Sequence, residues 1–598
     1  MPHLLVIGGA SLDVLHVGKK RISSAGGAGM YTAMAARRCG VEVSLYAPRP
    51  VPMPAELQPV AERLSRWLGP SVGPDELPRF EIAHEGGVTT YLEAFFGAES
   101  ALDPDALPGD LSRYDVVHVV PLGDVRRQLG FVRAARKRGA VLVSAGTYVS
   151  GVDSGSEDVR RIVAESDVFF MNRDEAMALF GSLESARTIP GKLLCITLGS
   201  EGALVVQGEH PSRVPSAPAN EVDPTGAGDT FCGATLAGVM RHQHPVLAAR
   251  SAATLAAAMI ERVGPAFLLS EGPLPETPAP PTRGGVEVDG TQVERIARLL
   301  AGLDEAEAFP FVGPGLPPAG HPETAEFFFA ATLQQFGFWH EQDGRFDRPM
   351  VARIGGSDLK GSAYLFTAFL RRLERDRGFC SPARQADLSR EELLEVFRAD
   401  DGSDPMPALD LHLEQARAYG RDMLALGISP TSVLEHARSS PRPLEALLGQ
   451  LDRIGGYKED PLRKKTGLLA LILSQRPEGF LPFGDGEQVA PVIDYHLMRS
   501  CLRTGLIEIR EERLRAAIVD RRLIGAQQEW AVREAAYRAI RRVIDASGKS
   551  PGAVDWFFFG ARQRCPEMSR PECARCPLDP VCAHRVELFQ PVHRTTFY

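Results

Sequence analysis

Residues 221–234 have the sequence EVDPTGAGDTFCGA, and this glycine-rich stretch decides how the first half of the chain folds. The small residues Gly226, Ala227 and Gly228 let the backbone approach a charged ligand closely, and the run after them predicts a helix. Free N–H groups and the dipole at a helix N-terminus favour an anion. Asp229 follows in the first turn, where its carboxylate can accept a proton from a hydroxyl group. The stretch therefore predicts an anion hole beside a general base.

Outward from this loop, residues 1–270 alternate short β-rich runs with helical stretches. The β-rich runs are HLLVIGG, VEVSLYAP, DVVHVVPLG, AVLVSAG, DVFFMN, LLCITLG and GALVVQG. Strands that alternate with helical patterns indicate parallel βαβ units in a doubly wound α/β domain. We therefore expect the glycine-rich loop to connect to the last helices of such a domain.

The pattern changes after residue 270. EGPLPETPAPPTRGG, residues 271–285, contains too much proline to form a core element and predicts a semi-rigid linker. Residues 286–598 then show helical periodicity in seven segments, one of which opens with a capping box of Ser389 and Glu392. The sequence predicts a mostly α second domain.

Composition bounds the class of protein. The 598 residues are 44% hydrophobic and 24% charged, as in soluble globular proteins, and carry a net charge of −9. Without a basic excess, duplex DNA is an unlikely partner. No apolar run has the length of a membrane span and the first residues lack the features of a signal peptide, so we expect a cytoplasmic location. The sequence leaves the oligomeric state open.

The DPTGAGDTF string closely resembles the second signature of the ribokinase-like, or PfkB-type, carbohydrate and nucleoside kinases. The resemblance extends over residues 1–270. It implies ATP-dependent phosphorylation of an alcohol, with Asp229 as the catalytic base and residues 226–228 as the anion hole. ATP and Mg²⁺ are the implied cofactors, and K⁺ is a further candidate.

Other elements of the family occur in the expected order. On the nucleotide side, Asn172 and Glu175 in MNRDE match an N-x-x-E motif that acts through magnesium-bound water near the phosphates. Thr197 and Gly199 match the end of the nucleotide-binding strand, and Thr225 belongs to the phosphate loop. The resemblance thus implies five residues for nucleotide and magnesium binding.

On the acceptor side, Asp13 matches the carboxylate that binds substrate hydroxyls, and Gly26 and Gly27 match the neighbouring GG pair. A turn-capping role is the alternative for Asp13. The sequence departs from the family at Tyr31, where asparagine is usual, and in the short spacing between Asp13 and Gly26. We therefore expect a remodelled acceptor site, with residues 84–97 as a source of the remaining lid strands.

Four cysteines crowd near the end of the chain. Cys565, Cys573, Cys576 and Cys582 have the spacing C-x7-C-x2-C-x5-C, and four thiolates in one loop suit zinc or an iron–sulfur cluster. The spacing alone leaves both open. The loop, 565–582, resembles the cluster loop of endonuclease-III-like and adenine-specific DNA glycosylases, although its first gap differs by one residue. That resemblance implies a 4Fe-4S cluster, with zinc as the alternative.

APVIDYHLMRSCLRTG, residues 490–505, resembles the V-D-x-H-x-x-R segment of the same helix-hairpin-helix glycosylases and places Asp494 at their catalytic aspartate. A fixed carboxylate stabilises the positive charge that develops on the sugar as an N-glycosidic bond breaks. The alternative is that Asp494 only caps the following helix. The preceding segment lacks the L-P-G-V-G turn that grips the DNA backbone, which argues against duplex DNA as substrate.

A second, weaker resemblance is to the queuosine 5'-phosphate N-glycosylases of queuosine salvage. It depends on ETAEFFFAATLQQFGFW and RIGGSDLKGSAYLFTAFLRR. It implies that Trp339 stacks on a base, that Asp358 or Lys360 contacts the base edge or phosphate, and that Lys464 and Lys465 meet a 5'-phosphate. The alternative is that the aromatic residues form core and the lysines a solvated face.

Together these features predict a bifunctional salvage enzyme. The first domain would phosphorylate the 5'-hydroxyl of a nucleoside, such as the modified nucleoside queuosine. The second would split the 5'-nucleotide into free base and ribose 5-phosphate. One alternative is a base-excision DNA glycosylase fused to an accessory sugar kinase, and another is a sugar kinase with a non-catalytic iron–sulfur sensor.

Overall fold

The computed structural model describes residues 2–18, 20–85, 88–275, 285–304 and 309–598, without the side chains of residues 85, 88–89 and 149–156. It divides into two compact units, Met1–Pro278 and Ala279–Tyr598. Residues 276–284 of the predicted linker lie outside the described part. Each unit is considered by itself below.

The first unit is an α/β domain. Its strands are β1 (His3–Ile7), β2 (Ser11–Val17), β3 (Lys20–Gly26), β4 (Glu42–Tyr46), β5 (Arg49–Pro50), β6 (Arg66–Leu68), β7 (Ser71–Val72), β8 (Arg79–Glu85), β9 (Val88–Phe95), β10 (Val116–Val119), β11 (Leu142–Gly146), β12 (Val168–Asn172), β13 (Leu193–Thr197), β14 (Ala203–Gln207) and β15 (His210–Val214). Its helices are α1 (Ala28–Arg38), α2 (Gln58–Arg63), α3 (Val125–Lys137), α4 (Val149–Glu165), α5 (Arg173–Phe180), α6 (Ala227–Met240) and α7 (Pro245–Ile260).

A nine-stranded sheet forms the centre of this unit, in the order β15-β14-β13-β12-β11-β10-β1-β4-β6. The strands from β6 to β13 in that order pair in parallel, and β14 and β15 are antiparallel. The seven β-rich runs of the sequence are all strands of this sheet, and six of them pair in parallel as predicted; the seventh, GALVVQG, is β14 and pairs antiparallel. Their continuous apolar character follows from burial on both faces. The carboxyl ends of the parallel strands share one edge, where α/β proteins bind ligands.

A second, four-stranded sheet has the order β3-β2-β8-β9. β8 and β9 form an antiparallel hairpin, and β2 pairs with both β3 and β8. Residues 84–97 contain β9 and the end of β8, which confirms that this stretch supplies further strands beside β2 and β3. The small sheet carries Asp13 on β2 and His84 on β8.

The second unit is mostly helical. Its helices are α8 (Gly290–Ala301), α9 (Thr324–Thr332), α10 (Gly361–Arg375), α11 (Pro382–Ala386), α12 (Arg390–Phe397), α13 (Leu409–Ala425), α14 (Pro430–Ser439), α15 (Pro443–Leu451), α16 (Lys464–Gln475), α17 (Tyr495–Thr504), α18 (Glu512–Val519), α19 (Ala526–Ser547) and α20 (Pro551–Ala561). Short two-stranded sheets pair β16 (Val286–Val288) with β21 (Ile507–Ile509), β17 (Trp339–Gln342) with β18 (Arg345–Pro349), and β19 (Val351–Ile354) with β20 (Ser357–Lys360).

The helical periodicity of the sequence predicted this unit well, with one correction. The capping box is present, because the side chain of Ser389 accepts the N–H of Glu392 at 3.1 Å and the reciprocal bond also forms. The periodic segment ETAEFFFAATLQQFGFW predicts one helix that continues through Trp339. The helix instead ends at Thr332, and Trp339 begins β17. Gly337 between them has φ of 74°, a left-handed conformation that cannot continue the helix.

Two hydrophobic cores stabilise the second unit. One surrounds α9, α10, α13 and α16, and the other surrounds α8, α17 and α19. Among the described residues, no helix combines the length and the apolar character that a bilayer crossing requires.

Candidate active sites

The glycine-rich loop of the first unit leads directly into α6, whose N-cap is Gly226 in a left-handed conformation with φ of 78°. The ring of Tyr31 packs on this glycine so closely that a Cβ would lie 2.4 Å from its Cγ atom. Asp229 lies in the first turn of α6, and burial raises the pKa of its carboxyl to about 6. The loop therefore places a weakly acidic carboxyl at a helix N-terminus, where the helix dipole favours an anion.

Substituting Gly226 by alanine is expected to destabilise the first unit, because alanine in the left-handed region costs about 1–2 kcal/mol before the contact with Tyr31 is counted. Gly228→Ala is the matched control, since nothing lies within 4 Å of a Cβ at that position. Chemical denaturation without nucleotide measures both variants. Equal free energies of unfolding for the two variants would show that the packing of Tyr31 on Gly226 does not contribute to stability.

Hydrogen bonds within a buried cluster of Asp223, Thr225 and His84 hold the glycine-rich loop in place. Asp223 is fully buried and accepts the N–H of Thr225 at 3.0 Å and that of Gly264 at 2.7 Å. His84, on strand β8, has Nε2 at 2.8 Å from Oγ1 of Thr225 and at 3.3 Å from Oδ1 of Asp223. Thr225 thus connects the phosphate loop to the small sheet. His84 belongs to residues 84–97, the stretch from which lid strands were predicted, but the sequence alone predicted no contact for its side chain.

Asn172 and Glu175 form the capping box of α5. Nδ2 of Asn172 donates to Glu175 at 2.8 Å, and the N–H of Glu175 donates back to Oδ1 of Asn172 at 2.9 Å. Burial raises the pKa of Glu175 to about 7, and the charge of Asp229 adds to the effect. Thr197 is the direct neighbour of Asn172 in the β12–β13 register, whereas Gly199 follows in a left-handed turn with open space around it. Asn172 and Thr197 therefore lie side by side at the edge of the sheet, and Glu175 lies near enough to Asp229 to feel its charge.

Asp13 and the glycine pair Gly26–Gly27 form a second closely packed group in the first unit. Asp13 is buried, accepts the N–H of Phe80 at 3.2 Å, and has its pKa raised by burial to about 7. A Cβ on Gly26 would lie 1.7 Å from Oδ2 of Asp13, and a Cβ on Gly27 would lie 2.6 Å from the carbonyl oxygen of Gly9. Gly26 therefore leaves the space that the Asp13 carboxyl occupies, and Gly27 allows the close approach of the Gly9 backbone.

Tyr31 stands at the centre of this group. It is 1% exposed, and its hydroxyl has no hydrogen-bond partner among the described residues. Burial raises the pKa of Tyr31, and the charges of Asp223, Asp13 and Asp229 raise it further. The departure from the family pattern at this position therefore places a phenol among the three carboxylates of the site.

The second unit contains a cavity of about 830 Å³ whose polar wall includes Lys360, Lys464, Asp494, His496, Asp555 and Arg562. Asp494 is the N-cap of α17, and its Oδ1 accepts the N–H groups of His496 at 2.8 Å and Leu497 at 3.0 Å. The helix-capping alternative is thus observed, and it fixes the carboxylate on the cavity wall.

Lys464 and Lys465 are both buried, 6% and 2% exposed, so the alternative of a solvated face is wrong. Nζ of Lys464 donates to the carbonyl of Gln335 at 3.2 Å beside the cavity, and burial lowers its pKa. Nζ of Lys465 donates to the carbonyl of Leu333 at 3.0 Å and lies over the ring of Phe336. Lys465 therefore belongs to the core, and only Lys464 lies on the cavity wall.

Two further expectations need correction. Trp339 is 2% exposed, stacks on Phe346 with centroids 5.7 Å apart, and lies in a hydrophobic core away from the wall of the large cavity.

Asp358 is exposed on β20 and does not line the cavity, whereas Lys360, two residues later, does. Residues two apart on a strand share a face, so the difference comes from their place along the chain: Lys360 ends β20 and is the N-cap of α10, whose first residues also line the cavity.

Helix α20 contributes cavity residues that the sequence analysis missed. Trp556 stacks on Phe309 at 5.2 Å and on Phe559 at 5.3 Å, which forms a flat aromatic wall. Asp555 precedes this tryptophan, and its Oδ1 has no hydrogen-bond partner among the described residues. The signal was an aspartate inside the apolar run PGAVDWFFFGA, a setting in which a charged residue requires a reason.

The four cysteines of the loop 565–582 are half-buried and free. Burial raises the pKa of Cys576, and charge on Cys565 and Cys573 raises it further, so these thiols share one neighbourhood. Arg503 donates to Sγ of Cys565 at 3.2 Å. The pKa of Cys582 is likewise raised by burial and by charge on the other three thiols. The loop therefore gathers the four predicted ligands.

The spacing of these thiols bears on the kind of metal site. Among the described residues, the ligand atoms that lie within 4.8 Å of one another belong to Cys573, Asp579 and His584, and no three of the four thiols are that close. Four thiolates around one zinc ion at about 2.3 Å would place their sulfurs about 3.8 Å apart. Among the described residues, the compact group at this loop therefore combines one thiol with a carboxylate and an imidazole.

Glu567, within the cysteine loop, connects that loop to the cavity. Its carboxylate lies 3.0 Å from Nζ of Lys360, 3.5 Å from Nδ1 of His496 and 3.6 Å from Arg499. Lys360 and His496 are both on the cavity wall. The conformation of the loop therefore affects the positions of Lys360 and His496 on the cavity wall.

Comparison with known proteins concerns the kinase-like part. Residues 133–271 match the sequence model of the pfkB family of carbohydrate kinases. A cytidine kinase of Thermococcus kodakarensis is 29% identical over 253 residues, which cover 40% of this chain and 90% of that enzyme. An ATP-dependent 6-phosphofructokinase of Thermoanaerobacterium thermosaccharolyticum is 31% identical over 93 residues, 14% of this chain and 29% of that enzyme.

Among solved structures, an aminoimidazole riboside kinase from Salmonella enterica, complexed with aminoimidazole riboside and an ATP analogue, is 22% identical with a TM-score of 0.38. The alignment covers 45% of this chain and 96% of that one. The region matched by the family model contains residues 226–228, Asp229 and the Asn172–Glu175 capping box.

Proposed function

We propose that the first unit, which is a ribokinase-like carbohydrate or nucleoside kinase domain, transfers the γ-phosphate of ATP to the 5'-hydroxyl of a nucleoside. The observation that carries the proposal is the juxtaposition of Asp229 with the N-terminus of α6, on a loop whose left-handed glycine admits no side chain. The similarity to a cytidine kinase over 90% of that enzyme favours a nucleoside over a free sugar as acceptor.

In this proposal each group has one task. The N–H groups of residues 226–228 hold the γ-phosphate, and Asp229 accepts the proton of the attacking hydroxyl. Asp13 binds a hydroxyl of the acceptor, with Gly26 and Gly27 beside it. Thr225, Thr197 and Gly199 contact the nucleotide.

The oxygen donors of Asn172 and Glu175 fit Mg²⁺, which prefers carboxylate and amide oxygens and keeps several of its waters. They lie at the carboxyl edge of the sheet, and the charge of Asp229 acts on Glu175. When bound, the ion neutralises charge on the phosphates.

For the second unit we propose N-glycosidase activity on the resulting 5'-nucleotide. The specific observation is that Asp494 and Lys464 face the same cavity of about 830 Å³, a size typical of small-molecule sites. The carboxylate of Asp494 would stabilise the positive charge on the ribose. Lys464 and Lys360 provide positive charge for the 5'-phosphate.

The two activities form consecutive steps from a nucleoside to free base and ribose 5-phosphate, and queuosine is the proposed nucleoside. Mass spectrometry of the full-length protein with ATP and a nucleoside panel that includes queuosine tests this. The expected products are a 5'-nucleotide and then free base. A nucleotide without base release would favour the kinase with a non-catalytic sensor, and base release from duplex oligonucleotides alone would favour the DNA-repair alternative.

For the cysteine loop we propose a 4Fe-4S cluster held by Cys565, Cys573, Cys576 and Cys582. The presence of four free thiols that interact with one another in one loop supports it. Protein purified without oxygen should be brown, absorb light at about 400 nm and contain about four irons per chain. Cys576→Ser should remove the colour, with Cys501→Ser, a buried thiol outside the loop, as the control. A colourless protein with one bound zinc would contradict the cluster.

A further inference from the structure

A second carboxyl group faces the cavity of the helical unit. Asp555 lies on α20, which contacts α17, the helix that Asp494 caps. Both aspartates are on the cavity wall. Asp494 accepts two backbone N–H groups, whereas Oδ1 of Asp555 is buried with no partner among the described residues. The two carboxyls therefore have very different surroundings.

The surroundings set the protonation of Asp555. Burial raises the pKa of Asp555 well above its ordinary value, and the charge of Asp494 raises it further, while Lys464 acts in the opposite direction. A raised pKa favours the protonated form of the Asp555 carboxyl. Asp494, held by two backbone N–H groups, and Asp555, whose Oδ1 accepts none, are thus two unlike carboxyls on one cavity wall, the arrangement that glycosidic cleavage uses.

The aromatic wall places this acid beside a flat surface. Phe309, Trp556 and Phe559 stack in sequence, with interplanar angles of 17° and 24°. The guanidinium of Arg562 lies 3.7 Å from the centroid of Phe559 and extends the wall. A planar heterocycle stacked here would meet Asp555 at its edge, because Asp555 and Trp556 are adjacent residues that both face the cavity.

We propose that Asp555 is the general acid of this site and donates its proton to the base as the base departs. The proposal rests on the N-glycosidase function proposed above. It names the substrate class as 5'-nucleotides of uncharged planar heterocycles, whose anions are poor leaving groups and need protonation.

The step balances as a hydrolysis. The bond between C1' and the base nitrogen breaks, and its electron pair stays with the base, which takes the proton of Asp555. The oxygen of a water molecule bonds to C1', and the water proton passes to Asp494. Asp555 then regains a proton through solvent as Asp494 loses one. One water is consumed, and one free base and one ribose 5-phosphate are formed.

Leaving-group dependence tests the role in the full-length protein. With queuosine 5'-monophosphate, Asp555→Asn should lower kcat by about a hundredfold or more. With p-nitrophenyl β-riboside 5-phosphate, whose leaving group needs no proton, the loss should stay within about fivefold. Asp494→Asn should lower both rates, and Asp555→Glu should restore part of the first.

The pH profile gives a second measurement. The wild-type kcat should fall at high pH as Asp555 loses its proton, and this decline should be missing in Asp555→Asn. The charged or titratable groups on the same wall are Asp494, Tyr495, Lys464, His496, Lys360 and Arg562. Equal losses on the two substrates, or a wild-type profile with no decline at high pH, would overturn the acid role. A wild-type protein that releases no base from any nucleotide would overturn the N-glycosidase function and this inference with it.

Discussion

Replacing Asp229 by asparagine is expected to lower ATP-dependent phosphorylation by about a thousandfold while ATP binding stays within a few-fold of wild type. Asparagine keeps the shape of the side chain and the N–H groups of the loop, but it cannot accept the proton of the attacking hydroxyl. Mass spectrometry of the nucleotide product and calorimetric titration with ATP measure the two effects.

The pH dependence provides an internal check on this assignment. Because burial raises the pKa of Asp229 to about 6, the base is ionised above that value and becomes protonated below it. The wild-type kcat should therefore fall about tenfold per pH unit below about pH 6. A variant Asp229→Asn that keeps most of its phosphotransfer would show that another group is the base.

The substitution Asp494→Asn is expected to lower base release from a 5'-nucleotide by about a thousandfold and to leave phosphorylation unchanged. The amide is neutral and cannot stabilise positive charge on the ribose. Its oxygen can still accept the N–H groups of His496 and Leu497, so helix α17 keeps its cap.

Asp494→Ala separates the two roles of this residue. Alanine loses both the charge and the cap, and the lost cap costs about 1 kcal/mol of stability. If both variants release base equally slowly but only the alanine variant unfolds more readily, charge is the catalytic property. Base release near the wild-type rate in Asp494→Asn would restrict the residue to helix capping.

Local sequence patterns predicted a large part of the fold. The central strands were recognisable because burial on both faces requires continuous apolar runs, and their spacing by helices indicated parallel pairing. Asp229 was recognisable because its loop combines small residues, a helix start and a carboxylate within a few positions. Asn172 and Glu175 were predicted as a pair from the N-x-x-E motif of the family they resemble, and the structure shows that this spacing also forms a capping box.

The parts that sequence reasoning missed depend on contacts between distant segments. The packing of Tyr31 on Gly226 joins α1 to the phosphate loop, and no local pattern predicts it. Trp339 and Lys465 have residue types suited to ligand binding, yet both point into a core. Asp555 was hidden in an apolar run, and its role became visible only when α20 was placed on the wall that carries Asp494.

The most direct test of the account is the ATP requirement for base release by the full-length protein. With queuosine alone no free base should appear, with queuosine and ATP the base should appear after a nucleotide intermediate, and queuosine 5'-monophosphate should release base without ATP. Asp229→Asn should block the second reaction and leave the third unchanged. Release of base from queuosine without ATP, at the rate seen with the 5'-monophosphate, would contradict the proposed order of the two steps.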